Sequence, residues 1–311
     1  MKAFSVVLRR CLAAALVLGL ASCSSAPKRQ AAVVEKKNEA AEYLALADGF
    51  YFLGQYASAV QYYTEALDAN LSVDNVEGSI KARNSLGRSF MALGRLDDAA
   101  REFGDALTDA RAYGKAALIA LGLSNLGELA HRRGDLESAD LFFSDAEGLA
   151  PSGDPVWAVV AHNIGVTAMA RGDLETAYDY VLKAESANER AKLWVELGSN
   201  RYVLASITNA QGRTADALTW ALRALAADKT AENTLGIGSD LEALGSLKRK
   251  AGLENDAFNF YRRAFGLWVA MNRVDDARRC LVVLIELAAN TGRDDYAQRY
   301  KAILDSIAGT E

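Results

Sequence analysis

The chain has 311 residues, 51% of them hydrophobic and 24% charged, with 40 acidic against 35 basic side chains and a formal net charge of −5. An acidic chain releases few counterions from a phosphate backbone and is not drawn to anionic lipid. That excludes general nucleic-acid binding and purely electrostatic adhesion to a membrane.

At the N-terminus, Lys2, Arg9 and Arg10 make a basic segment, and Cys11 to Leu20 form an apolar stretch interrupted only by Gly19. That stretch falls well short of the ~20 residues needed to span a bilayer, so it reads as the hydrophobic region of a signal peptide. It runs into Leu20-Ala21-Ser22-Cys23, which resembles the lipobox of bacterial lipoprotein signals. The resemblance implies cleavage after residue 22, lipidation of Cys23 and, with Ser24 following, sorting to the outer membrane on its periplasmic side. An ordinary secreted chain cut after Ser22 is the alternative. Two acyl chains on Cys23 would anchor the protein stably, whereas a single chain binds membranes only marginally. Removing residues 1–22 takes away three basic residues and no acids, leaving a mature chain of −8.

Residues 23–39 contain Ser24, Ser25, Pro27 and Glu35-Lys36-Lys37-Asn38, and read as a tether. Fully extended, ~17 residues reach at most about 55 Å. From Ala31 onward the segment alternatively extends the first helix. Of the three cysteines, Cys11 leaves with the signal and Cys23 carries the lipid. Cys280 is then alone and forms no internal disulfide, and its apolar helical run to Leu287 marks it as a buried structural thiol.

From residue 40 a pattern repeats. Glycines at 54, 94, 134, 172, 212, 252 and 292 recur every 40 residues, with one interval of 38. Each ends one amphipathic helix and precedes another, where a left-handed residue without a Cβ is required. Acidic residues soon after the turn, Asp97, Asp135 and Asp173, are expected to cap the second helix. An alanine stands five positions after each glycine. Seven positions before it comes a small residue (Ala47, Gly87, Gly127, Gly165, Ala205, Gly245), itself preceded by a large one (Leu46, Leu86, Leu126, Ile164, Leu204, Leu244). Nine positions after it, most copies carry a bulky residue (Tyr63, Phe103, Phe143, Val181, Tyr261), and alanine follows three later.

This large–small, glycine, alanine, aromatic, alanine pattern resembles the tetratricopeptide-repeat (TPR) family over roughly residues 40 to 308. It implies an all-α fold, a right-handed α-solenoid of about seven helical hairpins filling residues 40–311. The period of 40 exceeds the usual 34, so longer helices are expected. The seventh copy has Lys301 where the aromatic belongs and reads as a polar cap. Pro151-Ser-Gly-Asp-Pro155, at the shortened interval, reads as a stiff turn.

No catalytic constellation is present. His131 and His162, the two histidines, lack metal-ligand spacing, and no phosphate-binding loop or nucleophile elbow occurs. Gly236-Ile237-Gly238 precedes a helix but follows no strand, so a dinucleotide reading fails. The expectation is a non-enzymatic protein without cofactor or metal. In TPR proteins the first helix of each repeat lines a concave groove, which implies a partner-binding face including Tyr51, Phe52, Lys81, Asn84, Arg88, His131, Arg132 and His162. Lys81, Arg88 and Arg132, with the histidines, form a partly basic strip beside an apolar one. Such a groove suits an extended or helical peptide with an acidic edge. The leading reading is a lipid-anchored scaffold that recruits other envelope proteins. The alternatives are a surface lipoprotein contacting other cells and a carrier of small molecules or lipids.

Overall fold

The computed structural model describes residues 28–308. Fourteen α-helices are present among them, paired into seven hairpins: α1 (Lys28–Phe52) with α2 (Tyr56–Leu71), α3 (Val76–Ala92) with α4 (Leu96–Tyr113), α5 (Ala116–Arg132) with α6 (Leu136–Leu149), α7 (Pro155–Ala170) with α8 (Leu174–Ala191), α9 (Trp194–Ala210) with α10 (Thr214–Thr230), α11 (Thr234–Lys250) with α12 (Glu254–Ala270), and α13 (Val274–Asn290) with α14 (Asp294–Ala308). No strand occurs among the described residues. Each helix packs on its neighbours in sequence. Through the first six hairpins the first helices of successive hairpins also touch one another, while the second helices make no comparable contact. The first helices are therefore the inner layer of a curved α-solenoid and the second helices its splayed outer layer.

The seven repeat glycines all adopt left-handed φ, from +69° to +83°. Each turn closes in the same way: Gly94 N–H donates to Met91 O at 3.1 Å and Arg95 N–H reaches back to Phe90 O at 2.9 Å. This is the Schellman arrangement, which satisfies the last carbonyls of the first helix. Midway between these glycines lies a second left-handed position, occupied by Asp74, Gly114, Gly153, Lys192, Glu232 and Asn272. Each repeat is thus two helices of mostly 16 to 18 residues joined by two short turns, which is where the extra length of the period goes.

The small and bulky positions interlock. A Cβ on Gly87 would fall 2.5 Å from Phe103 Cδ1, and one on Gly245 would fall 2.7 Å from Tyr261 Cδ2. The bulky residue of the second helix therefore rests on the bare backbone of the first. The fifth repeat achieves the same close approach with Ala205 and Ala221, both buried. The alanines at 59, 99, 139, 177, 217 and 257 are all fully buried.

Several expectations are corrected. Asp135 and Asp173 cap as expected, accepting from Ser138 N–H at 3.0 Å and Thr176 N–H at 3.1 Å. Asp97 does not cap. It lies inside the first turn of α4, two residues past the capping position held by Arg95, and pairs with Arg133 at 2.7 Å. Leu46 is exposed rather than packed, unlike its fully buried counterparts Leu204 and Leu244 in the interior repeats. Residues 28–39, assigned to a tether, are helical and run straight into the first repeat as the start of α1. Cys23 and the signal segment lie outside the described residues. Between α6 and α7, Gly153 is left-handed (φ +87°) and Asp154 caps α7 by accepting from Val156 N–H at 2.8 Å, with Pro155 in its first turn. In the cap repeat Tyr300, next to Lys301, takes the aromatic's place and packs against Phe258 and Phe265. No helix among the described residues is long and apolar enough to cross a membrane.

Candidate functional site: an amide-lined groove

Residues three and four apart share one face of a helix. On α3 that rule aligns Lys81, Asn84, Ser85 and Arg88, and on α5 it aligns Leu121, Asn125 and Glu128. On α7 it aligns Val159, His162 and Asn163, and on α9 Val195, Glu196, Ser199 and Asn200. The curvature of the inner layer turns these faces toward one cavity of about 440 Å³, completed by Asn188 from the end of α8 and Phe52 from the end of α1. That volume falls in the range of ligand-binding clefts.

Five of the eight residues expected in the groove line this cavity: Phe52, Lys81, Asn84, Arg88 and His162. Tyr51 stands just behind, its ring 6.2 Å from Phe52 and under the Arg88 guanidinium at 5.2 Å. His131 is turned to another task, its Nδ1 lying 3.1 Å from Thr167 Oγ1 and joining the third repeat to the fourth. Arg132 is exposed, does not line the cavity, and is near enough to Tyr56 to act on its phenol.

The cavity is less basic than the bare sequence suggests. Lys81 is paired with Glu77 at 3.1 Å. Arg88 is exposed at the cavity wall. Burial would lower its pKa and is outweighed by Tyr51 and Glu128, so the guanidinium is held firmly charged. Burial pushes His162 down to about 4, with Asn200 in hydrogen-bonding reach offsetting this only in part, and burial also lowers His131. Both imidazoles are therefore neutral at physiological pH. His162 Nδ1 is buried and has no hydrogen-bond partner among the described residues.

Amides dominate the lining instead, from Asn84, Asn125, Asn163, Asn188 and Asn200. Asn125 donates to Asn84 Oδ1 at 2.7 Å, and Asn84 donates back to Ile80 O at 3.0 Å. Asn163 donates to Ser124 Oγ at 3.1 Å. A side-chain amide has two donors and a two-lone-pair acceptor, and these bonds occupy only part of that capacity. Asn84, Asn125, Asn188 and Asn200 are each no more than 4% exposed, however, so their amides stiffen the wall from beneath, and only Asn163 among the five is half-buried at the cavity, beside the apolar side chains of Phe52, Leu121, Val159 and Val195. The face expected from the sequence did not include Asn125, Asn163, Asn188 or Asn200. For Asn125 and Asn163, both nine positions before their repeat glycines, that shared position was the available signal.

The tetratricopeptide-repeat family model matches residues 44–117 and again 84–154. Residues 44–154 are tetratricopeptide repeats. No curated protein sequence matches it. Among solved structures, this TPR chain is similar to the Rap conjugation gene regulator of plasmid pLS20 in complex with the Phr* peptide (21% identity, TM-score 0.60, 78% of this chain and 65% of that one). It is also similar to the apo form of RapI (15%, 0.62, 90% and 77%). A third similar structure is PilF from Pseudomonas aeruginosa (18%, 0.54, 76% and 95%). Likeness at these identities establishes the shared fold. A TPR solenoid of this kind works through protein partners.

Proposed function

We propose that this TPR protein is a lipid-anchored scaffold of the bacterial cell envelope that holds an extended segment of a partner protein in the amide-lined groove of its first five repeats. The observation that carries this reading is the groove's chemistry. An extended backbone offers one donor and one acceptor per residue, and Ser85, Arg88, Glu128, Asn163 and Ser199 present both kinds of group at the cavity wall. Each net hydrogen bond is worth about 0.5–1.5 kcal/mol, and the apolar positions between them receive alternate side chains. Because the histidines are neutral and Lys81 is paired, selection rests on backbone and shape more than on an acidic ligand. The pLS20 Rap regulator, which shares the fold, has a structure in complex with the Phr* peptide, and this supports the reading. The proposed anchor at Cys23 stands five residues before α1, so an anchored chain keeps its groove close to the membrane, on the periplasmic side of the outer membrane.

Two experiments test this. Mass spectrometry of the mature N-terminal peptide should find an acylated Cys23, and Cys23→Ala should move the protein from the membrane to the soluble fraction. Affinity purification from native membranes should retain a defined set of envelope proteins with the wild type and lose it with Asn163→Ala/Val159→Asp. Retention of the same proteins by both would refute the groove.

A further inference from the structure

The turn between α1 and α2 touches parts of the solenoid far from it in sequence. A Cβ on Gly54 would lie 2.9 Å from Nη1 of Arg273 and 3.4 Å from Cδ2 of Leu235, five repeats away. The Tyr56 hydroxyl is in hydrogen-bonding reach of the same Arg273 guanidinium, and Arg132 of the third repeat is near enough to act on that phenol. One residue before the turn, Phe52 shares the cavity wall with Val195 and Ser199 of the fifth repeat. The solenoid therefore completes a turn and closes on itself, with the first tight turn set against the sixth repeat.

This closure is small and specific. Helices elsewhere pack against neighbours in sequence or the next repeat, whereas here contact is confined to the α1–α2 turn with Tyr56, Leu235 at the start of α11, and Arg273. Arg273 is presented by Asp276, which accepts from its Nε at 2.5 Å and also holds Arg279. Gly54 is required for its left-handed φ of +72°, and a side chain there would also displace the end of the Arg273 side chain. Solenoids flex by small rotations summed over repeats, so a few contacts at the ends decide whether the ring is shut.

We propose that the Gly54–Tyr56 turn and Arg273 form a gate that closes the groove into a channel, so that the closed protein accepts a segment with a free chain end and excludes one flanked on both sides by folded structure. This rests on the groove reading above and adds the class of partner: a terminal tail. Opening the gate would admit internal loops as well.

The test has two arms. Spin labels on Ala57→Cys and Asp275→Cys, both exposed positions, should report one short, narrow distance in the otherwise wild-type full-length chain. Adding Arg273→Ala, or the milder Tyr56→Phe, should lengthen and broaden it, with unchanged helicity by circular dichroism. An unchanged distribution in both variants overturns the gate. In the second arm, a linear peptide selected from a random display library is offered free and then inserted between two folded carrier domains. Wild type should bind the free form at least about tenfold faster, and Arg273→Ala should bind both alike. Equal binding of both forms by the wild type overturns the gate. A library that yields no peptide, or one whose binding survives Asn163→Ala/Val159→Asp, overturns the groove reading instead and leaves the distance measurement to decide the gate.

Discussion

Replacing Gly127 by alanine tests the packing logic of the repeat. On an exposed helix the change would stabilise by about 1 kcal/mol, since glycine is a poor helix former. Here the new methyl would lie 2.7 Å from Cδ1 and 2.8 Å from Cζ of Phe143, a ring only 1% exposed. Overpacking a filled core typically costs about 1–3 kcal/mol, so steric strain outweighs propensity and the net effect is destabilisation of up to about 2 kcal/mol. Phe143→Ala alone should cost about 3–5 kcal/mol through lost transfer energy and a cavity. The fifth repeat already uses alanine at both positions, so Gly127→Ala/Phe143→Ala should be more stable than the sum of the single effects. A double-mutant cycle by urea denaturation measures this, with a favourable coupling of at least about 1 kcal/mol expected. A neutral or stabilising Gly127→Ala, or additive single effects, would refute the interlock.

Asp240 is 1% exposed, and its carboxyl is pushed up to about 9 by burial and the adjoining Asp228 carboxylate. The folded pKa is raised, so stability is fully present below the unfolded carboxylate pKa of about 3.9 and is lost as pH rises toward 9, by up to about 1.4 kcal/mol per unit. Asp240→Asn should flatten the stability profile between pH 5 and 9; an equally steep profile in the variant would exclude Asp240 as its source. Cys280 is fully buried and its thiol is pushed up to about 12 by burial and Glu242. It should resist alkylation at pH 8 until denaturant is added, and rapid labelling of the native chain would contradict its placement.

The repeat was legible because its markers are unusual residues at a fixed interval. A glycine every 40 residues, a small residue seven before it and an alanine five after it place every hairpin turn and most of the core. The second turn of each repeat was not legible. Its left-handed residue is Asp74, Lys192, Glu232 or Asn272 in four cases, and there tertiary packing overrides a backbone preference of roughly 1–2 kcal/mol. The groove was half legible. Counting positions on single helices found Lys81, Asn84, Arg88 and His162, which the helical period alone aligns. It could not find Asn188, which reaches the cavity from a second helix, or the contact of Gly54 with Arg273, because both depend on the accumulated curvature of several repeats. Charge was the most misleading signal. A strip that reads as basic loses much of that character once Lys81 meets Glu77 and the two imidazoles are desolvated.

The central claim is that partners are held in the groove, and photo-crosslinking from Phe52 tests it most directly. Phe52 is 43% exposed at the cavity wall, while Leu222, 52% exposed on a second helix, serves as the outer-surface comparison. A photoreactive phenylalanine analogue at position 52 of the full-length protein in native membranes should give a discrete adduct whose crosslinked segment maps to an extended tail of one partner, with none from position 222. Adducts from position 222 and none from position 52 would contradict the account.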